Sequence, residues 1–180
     1  VKHSGRAYLP IGALPGRPRP PRDPDMARVS AWSEAAGVPC RVPPDIEADL
    51  WTKLITNVAL NPISAVVHAT YGDIVAIPEP RETIRQLVNE CVAVARAGAV
   101  ALPANDFVEM VWRFAEKVGA VYSSTAQDLD RGKRTEIDAL NGFVVRRGSE
   151  LGVPTPVNQT LVALVKLREA QFEPAAESAT

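Results

Sequence analysis

The segment WTKLITNVALNP, residues 51–62, places Lys53, Asn57 and Asn61 four residues apart inside an otherwise apolar run. At about 3.6 residues per turn, steps of four drift by only about 40°, so on a helix these side chains form one narrow stripe about 12 Å long. Trp51, Leu54, Ile55 and Val58 make the neighbouring apolar stripe. An ammonium taken out of water loses hydration and releases its proton more readily unless a carboxylate or several acceptors compensate. A partly buried Lys53 is therefore suited to deliver a proton, although a snorkelling surface lysine has the same spacing. Asn57 and Asn61 carry carbonyl and amide groups that are costly to bury unpaired. They read as ligand hooks, or as solvent-facing residues with Asn61 serving a helix break before Pro62.

A second polar cluster lies in YSSTAQDLDRGKRTEIDALNG, residues 122–142. It offers the hydroxyls of Ser123 and Ser124, the carboxylates of Asp128, Glu136 and Asp138, and the cations Arg131, Lys133 and Arg134. Chemistry alone leaves this cluster open between a site and a solvated loop. His3 and His68 are far apart and outside any HExxH spacing, and GxSxG is absent, so metal and serine-nucleophile hydrolysis find no support.

The elements that must carry these residues are mostly helical. Asp45 caps a helix running to about Val67, with Pro62 expected to kink or break it. Ile84, Leu87, Val88, Cys91, Val94 and Ala95 give a helical stripe over about 80–101, and Phe107, Met110, Val111, Phe114 and Val118 give another. SSTAQDLDRGKR reads as a polar connection that leaves room for one helical turn. Thr135 and Asp138 have capping-box spacing ahead of a helix with Ile137, Leu140 and Val144 that ends near Gly148 or Gly152. A final helix follows GVPTP. Upstream, RAYLPIG and VPCRVP read as short strands around a helix capped by Asp25 and ended by Gly37, with a proline-rich loop at ALPGRPRPPRDPD. That loop is read as a solvated connection rather than a docking peptide.

The 180 residues, 46% hydrophobic and 23% charged, suffice for a sizeable core. A net charge of −1 argues against nucleic-acid or membrane-surface binding. Cys40 and Cys91 read as two reduced structural thiols, which fits the cytoplasm. Neither an export signal nor a membrane span is visible. Val1 stands first instead of Met, so the chain reads as beginning inside a longer protein, through processing, choice of expressed segment or a misplaced start.

Together, DLWTKLITNVALNPISA, SSTAQDLDRGKRTEIDALNG and GVPTPVNQTL resemble the C-terminal domain of the ketopantoate reductases (2-dehydropantoate 2-reductases) over roughly residues 45 to 170. HSGRAYLPIG looks like the end of that family's nucleotide-binding domain. The resemblance implies a mostly α chain: residues 1–44 as a truncated Rossmann remnant, 45–172 as the helical substrate domain and 173–180 as a frayed tail. It implies NADPH-dependent reduction of an α-keto acid bound between the two domains. Lys53 falls on the family's catalytic lysine and Glu136 on its active-site glutamate. Asn57, Asn61 and Ser124 fall on substrate-contacting positions, and Asp128 on an acidic position near the site. A further asparagine of the family's site belongs to the Rossmann domain and has no match here.

A dinucleotide site needs a strand, a GxGxxG turn and a helix N-terminus, and no GxGxxG occurs in this sequence. The missing nucleotide-binding domain is therefore the implied partner, with no metal expected. Two other readings stand beside this one: a noncatalytic helical module whose apolar faces pair between chains as a homodimer, and a paralogous reductase of another keto acid.

Overall fold

A computed structural model of the chain describes residues 8–13 and 23–171, divided into two compact units at Trp51/Thr52. In the first, strand β1 (Leu9–Pro10) and strand β2 (Cys40–Arg41) pair in parallel, with helix α1 (Asp23–Ala35) between them in sequence. The amides of Leu9 and Ile11 donate to the carbonyls of Pro39 and Arg41 at 2.8 and 2.9 Å. Pro10 sits between these two donors, where its missing N–H costs the ladder nothing. Gly12, two residues past the strand, has no room for a side chain, since a Cβ there would lie 2.5 Å from Cβ of Ile46.

Helix α1 begins at Asp23, so Asp25, expected as its cap, lies inside the first turn, and Pro24 occupies a position where proline is tolerated. Gly37 follows the helix with φ of 74°, the left-handed turn expected of it. Most of the proline-rich loop and the tail after 171 lie outside the described residues.

The second unit is a helical assembly. Helix α2 (Ile46–Val67), whose first turns precede the division at Trp51/Thr52, starts at Asp45, whose Oδ1 accepts from the amide of Ala48 at 3.0 Å. Pro62 does not break it: the helix continues through Val67. Its end is a left-handed turn at His68 (φ 52°), with the Ala69 amide donating back to Ser64 O at 3.2 Å. Then come α3 (Tyr71–Val75), α4 (Pro80–Ala97), α5 (Phe107–Val118), α6 (Ser124–Asp130), α7 (Asn141–Leu151) and α8 (Pro156–Ala170).

Ile55, Val58, Leu60, Ile84, Leu87, Val88, Val94, Val111, Val144 and Val165, spread over α2, α4, α5, α7 and α8, are fully buried. A subsidiary cluster joins Ala65 of α2, Ala126 and Leu129 of α6, Ile137, and Val165 of α8. Two close backbone approaches need glycine. A Cβ on Gly72 would meet Gly119 O at 3.0 Å, and one on Gly148 would meet Val153 O at 2.7 Å.

Two sequence expectations are corrected here. STAQDLD is a seven-residue helix, α6, longer than a single turn, because Thr125, Ala126 and Leu129 are buried and Ser123 caps it, accepting from the Ala126 amide at 3.0 Å. Thr135 and Asp138 do not form a capping box. Thr135 donates its amide and hydroxyl to Glu169 at 2.7 and 2.6 Å, Asp138 pairs with Lys166, and α7 starts only at Asn141.

Candidate active site

The stripe predicted on α2 runs from the surface into the core: Lys53 is exposed, Asn57 half-buried and Asn61 buried. Its neighbours Ile55, Val58 and Ala59 face the packed interior, which turns Lys53 outward. Of the two readings of Lys53, the described residues show the exposed surface lysine and not the partly buried ammonium. Among the described residues neither Lys53 nor Asn57 makes a side-chain hydrogen bond or ion pair.

Asn61 is held firmly. Tyr71 Oη donates to its Oδ1 at 2.8 Å inside the core, and burial raises the Tyr71 pKa, keeping that donor protonated. Among the described residues the Asn61 amide nitrogen donates to nothing, so its N–H groups remain uncommitted.

Helix α6 is fastened to α2 at both ends. At its start the Ser123 amide donates to Ser64 Oγ at 3.1 Å, while Ser123 Oγ donates to the carbonyl of Asn61 at 3.1 Å. Ser64 Oγ in turn donates to Ala69 O at 2.7 Å. At its far end Asp130 lies 3.0 Å from His68 Nε2, and the His68 ring stacks at 4.9 Å on Tyr122. Ser123 is therefore spent on structure. Ser124, the first residue of α6, is exposed, and Asp128 on the next turn is half-buried.

Glu136 lies in the turn between α6 and α7, exposed and without an ion pair among the described residues. Its neighbours are fixed: Thr135 by Glu169, Ile137 by the cluster with Ala65 and Leu129, and Asp138 by Lys166 and, through its carbonyl, by Arg146 Nη2 at 2.9 Å. Burial of Glu169 opposes its ionisation, but the two Thr135 bonds and Lys166 outweigh it and hold the carboxyl below the usual range. Five residues on, Asn141 Nδ2 donates to the carbonyl of Val58 at 3.1 Å. The turn holding Glu136 is thus pinned against α2 at Ala65 on one side and Val58 on the other.

The structure brings the α6 and Glu136 segments onto the half of α2 that carries Asn61. Among the described residues no hydrogen bond or ion pair joins Lys53 or Asn57 to Ser124, Asp128 or Glu136. A depression of about 300 Å³ lined by Asn105, Asp106, Glu109, Met110 and Arg113 holds none of the candidate residues; Asp106 is engaged in capping α5 and Glu109 in ion pairs with Arg81 and Arg113. Sequence reasoning missed the asparagine pair Asn141 and Asn158, both fully buried and joined at 3.0 Å. Their only local signal was the presence of carboxamides at the start of two helices. Among the described residues no helix is long and apolar enough to cross a membrane.

Comparison with known proteins bears on this arrangement. The family model described as ketopantoate reductase PanE/ApbA C terminal matches residues 45–169. The 2-dehydropantoate 2-reductase of Pyrobaculum aerophilum is 41% identical over 137 residues, 76% of this chain and 49% of that protein. A PanE/ApbA family ketopantoate reductase from Ralstonia eutropha JMP134 superposes with a TM-score of 0.84 at 42% identity, covering 96% of this chain and 55% of that one. D-mandelate dehydrogenase, solved with NADH and anilino(oxo)acetate, shares the fold at a TM-score of 0.75 and 23% identity over 86% of this chain and 52% of its own. The chain spans about half the length of the curated relatives it matches. With the helical architecture, three sequence segments and a family match across 45–169 in agreement, the chain belongs to the ketopantoate reductase PanE/ApbA family, within its C-terminal domain.

Proposed function

We propose that this chain is the helical, substrate-facing part of an NADPH-dependent 2-dehydropantoate 2-reductase that reduces ketopantoate to pantoate. The observation that supports this reading is the joint of Ser64, Ser123 and Asn61, which fastens the residue before Ser124 to the buried end of the Lys53–Asn57–Asn61 stripe. Family membership supports it.

The described residues do not fit a dinucleotide by themselves, since β1 and β2 are two residues each and the sequence contains no GxGxxG. This reading assigns the cofactor, whose nicotinamide supplies the hydride, to a Rossmann domain outside these 180 residues. The roles of this chain's own groups follow from the charge that develops on the ketone oxygen as its carbon is reduced. Lys53 stabilises that oxygen and then protonates it as general acid. Glu136 offers the compensating carboxylate that keeps the ammonium charged once the cleft excludes water, and accepts from substrate hydroxyls. Asn57, the free amide of Asn61 and the Ser124 hydroxyl orient the keto acid, with Asp128 at the margin.

The same fold serves D-mandelate dehydrogenase, so the keto acid is set by side chains lining the pocket and not by architecture. The test is NADPH oxidation by the full-length protein. Ketopantoate should be turned over with kcat/KM at least about 10-fold above that for phenylglyoxylate, the keto acid of mandelate. The reverse preference would reassign the substrate, and no turnover with any 2-keto acid would overturn the reading.

A further inference from the structure

Proline in the interior of a helix removes one N–H and presses its ring toward the carbonyl four residues earlier. In α2 that proline is Pro62 and the deprived carbonyl belongs to Val58, a fully buried residue. An unpartnered carbonyl there would cost about 1–3 kcal/mol. Asn141 Nδ2, from the first residue of α7, takes the place of the missing donor at 3.1 Å.

Asn141 is itself oriented through a chain of polar groups. Glu90 of α4 reaches the start of α8, where its two oxygens accept the amides of Val157 and Asn158 at 3.0 Å each and Asn158 Nδ2 at 2.7 Å. It serves as the cap that Thr155 does not supply. A carboxylate that accepts from Asn158 Nδ2 fixes which way that carboxamide points. Asn158 Oδ1 must then face Asn141 and accept from its Nδ2 at 3.0 Å, and the other N–H of Asn141 is left for Val58. Four helices, α4, α8, α7 and α2, are joined in one directed relay that ends on the backbone next to Asn57.

We propose that Asn141 is a positioning residue for the reductase reaction: held by Glu90 and Asn158, it supplies the hydrogen bond Pro62 denies to Val58 and so fixes the turn of α2 that presents Lys53 and Asn57. This rests on the proposed function above. Lys53 stands five residues, about 7.5 Å along the axis, from Val58, so a tilt of about 10° there displaces it by about 1 Å. A displacement of that size at a reacting group is worth up to about 100-fold in rate.

The decisive comparison is Asn141→Ala in two backgrounds. In the full-length enzyme it should lower kcat about 10- to 100-fold while KM for NADPH stays within about 2-fold. Pro62→Ala returns a backbone donor to Val58, so in that background Asn141→Ala should change kcat by less than about 3-fold. A single variant that fails to fold while the double variant folds and works supports the same coupling. Equal losses in both backgrounds, or a folded Asn141→Ala enzyme with unchanged kcat, would overturn the proposal.

Amide hydrogen exchange on the 180-residue chain gives a readout independent of turnover. Asn141→Ala should speed exchange across residues 54–62 about 10-fold more than in α5, and Pro62→Ala should cancel that difference. A uniform change across all helices would mark Asn141 as merely structural. Lys53→Ala is the control: if it abolishes turnover while Asn141→Ala does not, the positioning role alone fails, and if Lys53→Ala is silent the reductase assignment fails with it.

Discussion

The hydroxyl of Tyr71 donates to Oδ1 of Asn61 at 2.8 Å, both residues buried. One asparagine of the candidate stripe therefore has its oxygen committed to the core, and only its amide N–H groups are left for a ligand. Replacing Tyr71 with Phe strands that oxygen without changing the packing. Tyr71→Phe should lower unfolding stability by about 1–3 kcal/mol in urea titration, and no change would show that Asn61 is free to re-pair.

The adjacent serines Ser123 and Ser124 should separate cleanly. Ser123→Ala removes the α6 cap and the bond to Asn61 O, and should cost about 1–2 kcal/mol. Ser124→Ala should stay within about 0.5 kcal/mol of the parent and act on the full-length enzyme by raising KM for the keto acid. Thermal melts and steady-state kinetics on the same two variants check this, and a reversed pattern would exchange the two roles.

Gly148 is required by a backbone approach. A Cβ would lie 2.7 Å from Val153 O and 2.9 Å from Thr155 Cγ2, pushing α7 from the segment that leads into α8. Gly148→Ala should destabilise by about 1–3 kcal/mol despite its better helix propensity. A stabilised variant would show that the loop gives way freely.

Alkaline pH should loosen the fold in a definite direction. Burial pushes the Cys91 thiol up to about 12 and raises Tyr71 as well. Both groups keep their protons in the folded chain at a pH where the unfolded chain has lost them. Their contribution is complete below the unfolded values, about 9 for the thiol, and is lost as pH rises toward the folded ones. The thiol alone therefore makes stability fall as pH rises above about 9. Cys91→Val should flatten that limb in urea titrations, and an unaltered slope would contradict the assignment.

Much of the helical order was legible because α2, α4 and α5 carry long apolar periods between clear ends: Asp45 ahead of Ile46, Pro80 at the start of α4, and Asp106, whose Oδ1 accepts from the Glu109 amide at 3.0 Å. Helix α6 was hidden because seven residues hold too few apolar positions for a period, and its serine cap has the composition of a turn. Thr70 and Asp73, three apart, do spell the capping box of the short α3, a signal present in the sequence. The same spacing at Thr135 and Asp138 misled, because Glu169 and Lys166 claim those side chains from a distant helix.

Within the candidate site, the stripe on α2 follows from spacing alone, whereas its exposure gradient does not. Asn61 is buried by Tyr71 and α6, and Lys53 is turned outward by its place on the helix. The relay through Asn141 was out of reach of local reasoning, since its bonds join residues 83, 17 and 68 positions apart. A proline in a helix does say that a carbonyl needs another donor; only packing says which residue provides it.

The central claim is that the Lys53 ammonium hands the proton to the reduced ketone. The most direct measurement is kcat of Lys53→Ala in the full-length enzyme under saturating ketopantoate and NADPH, with folding verified by its melt. A loss of about 100-fold or more, with KM for NADPH little altered, is the predicted result. A folded Lys53→Ala enzyme with kcat within a few-fold of the parent would contradict it.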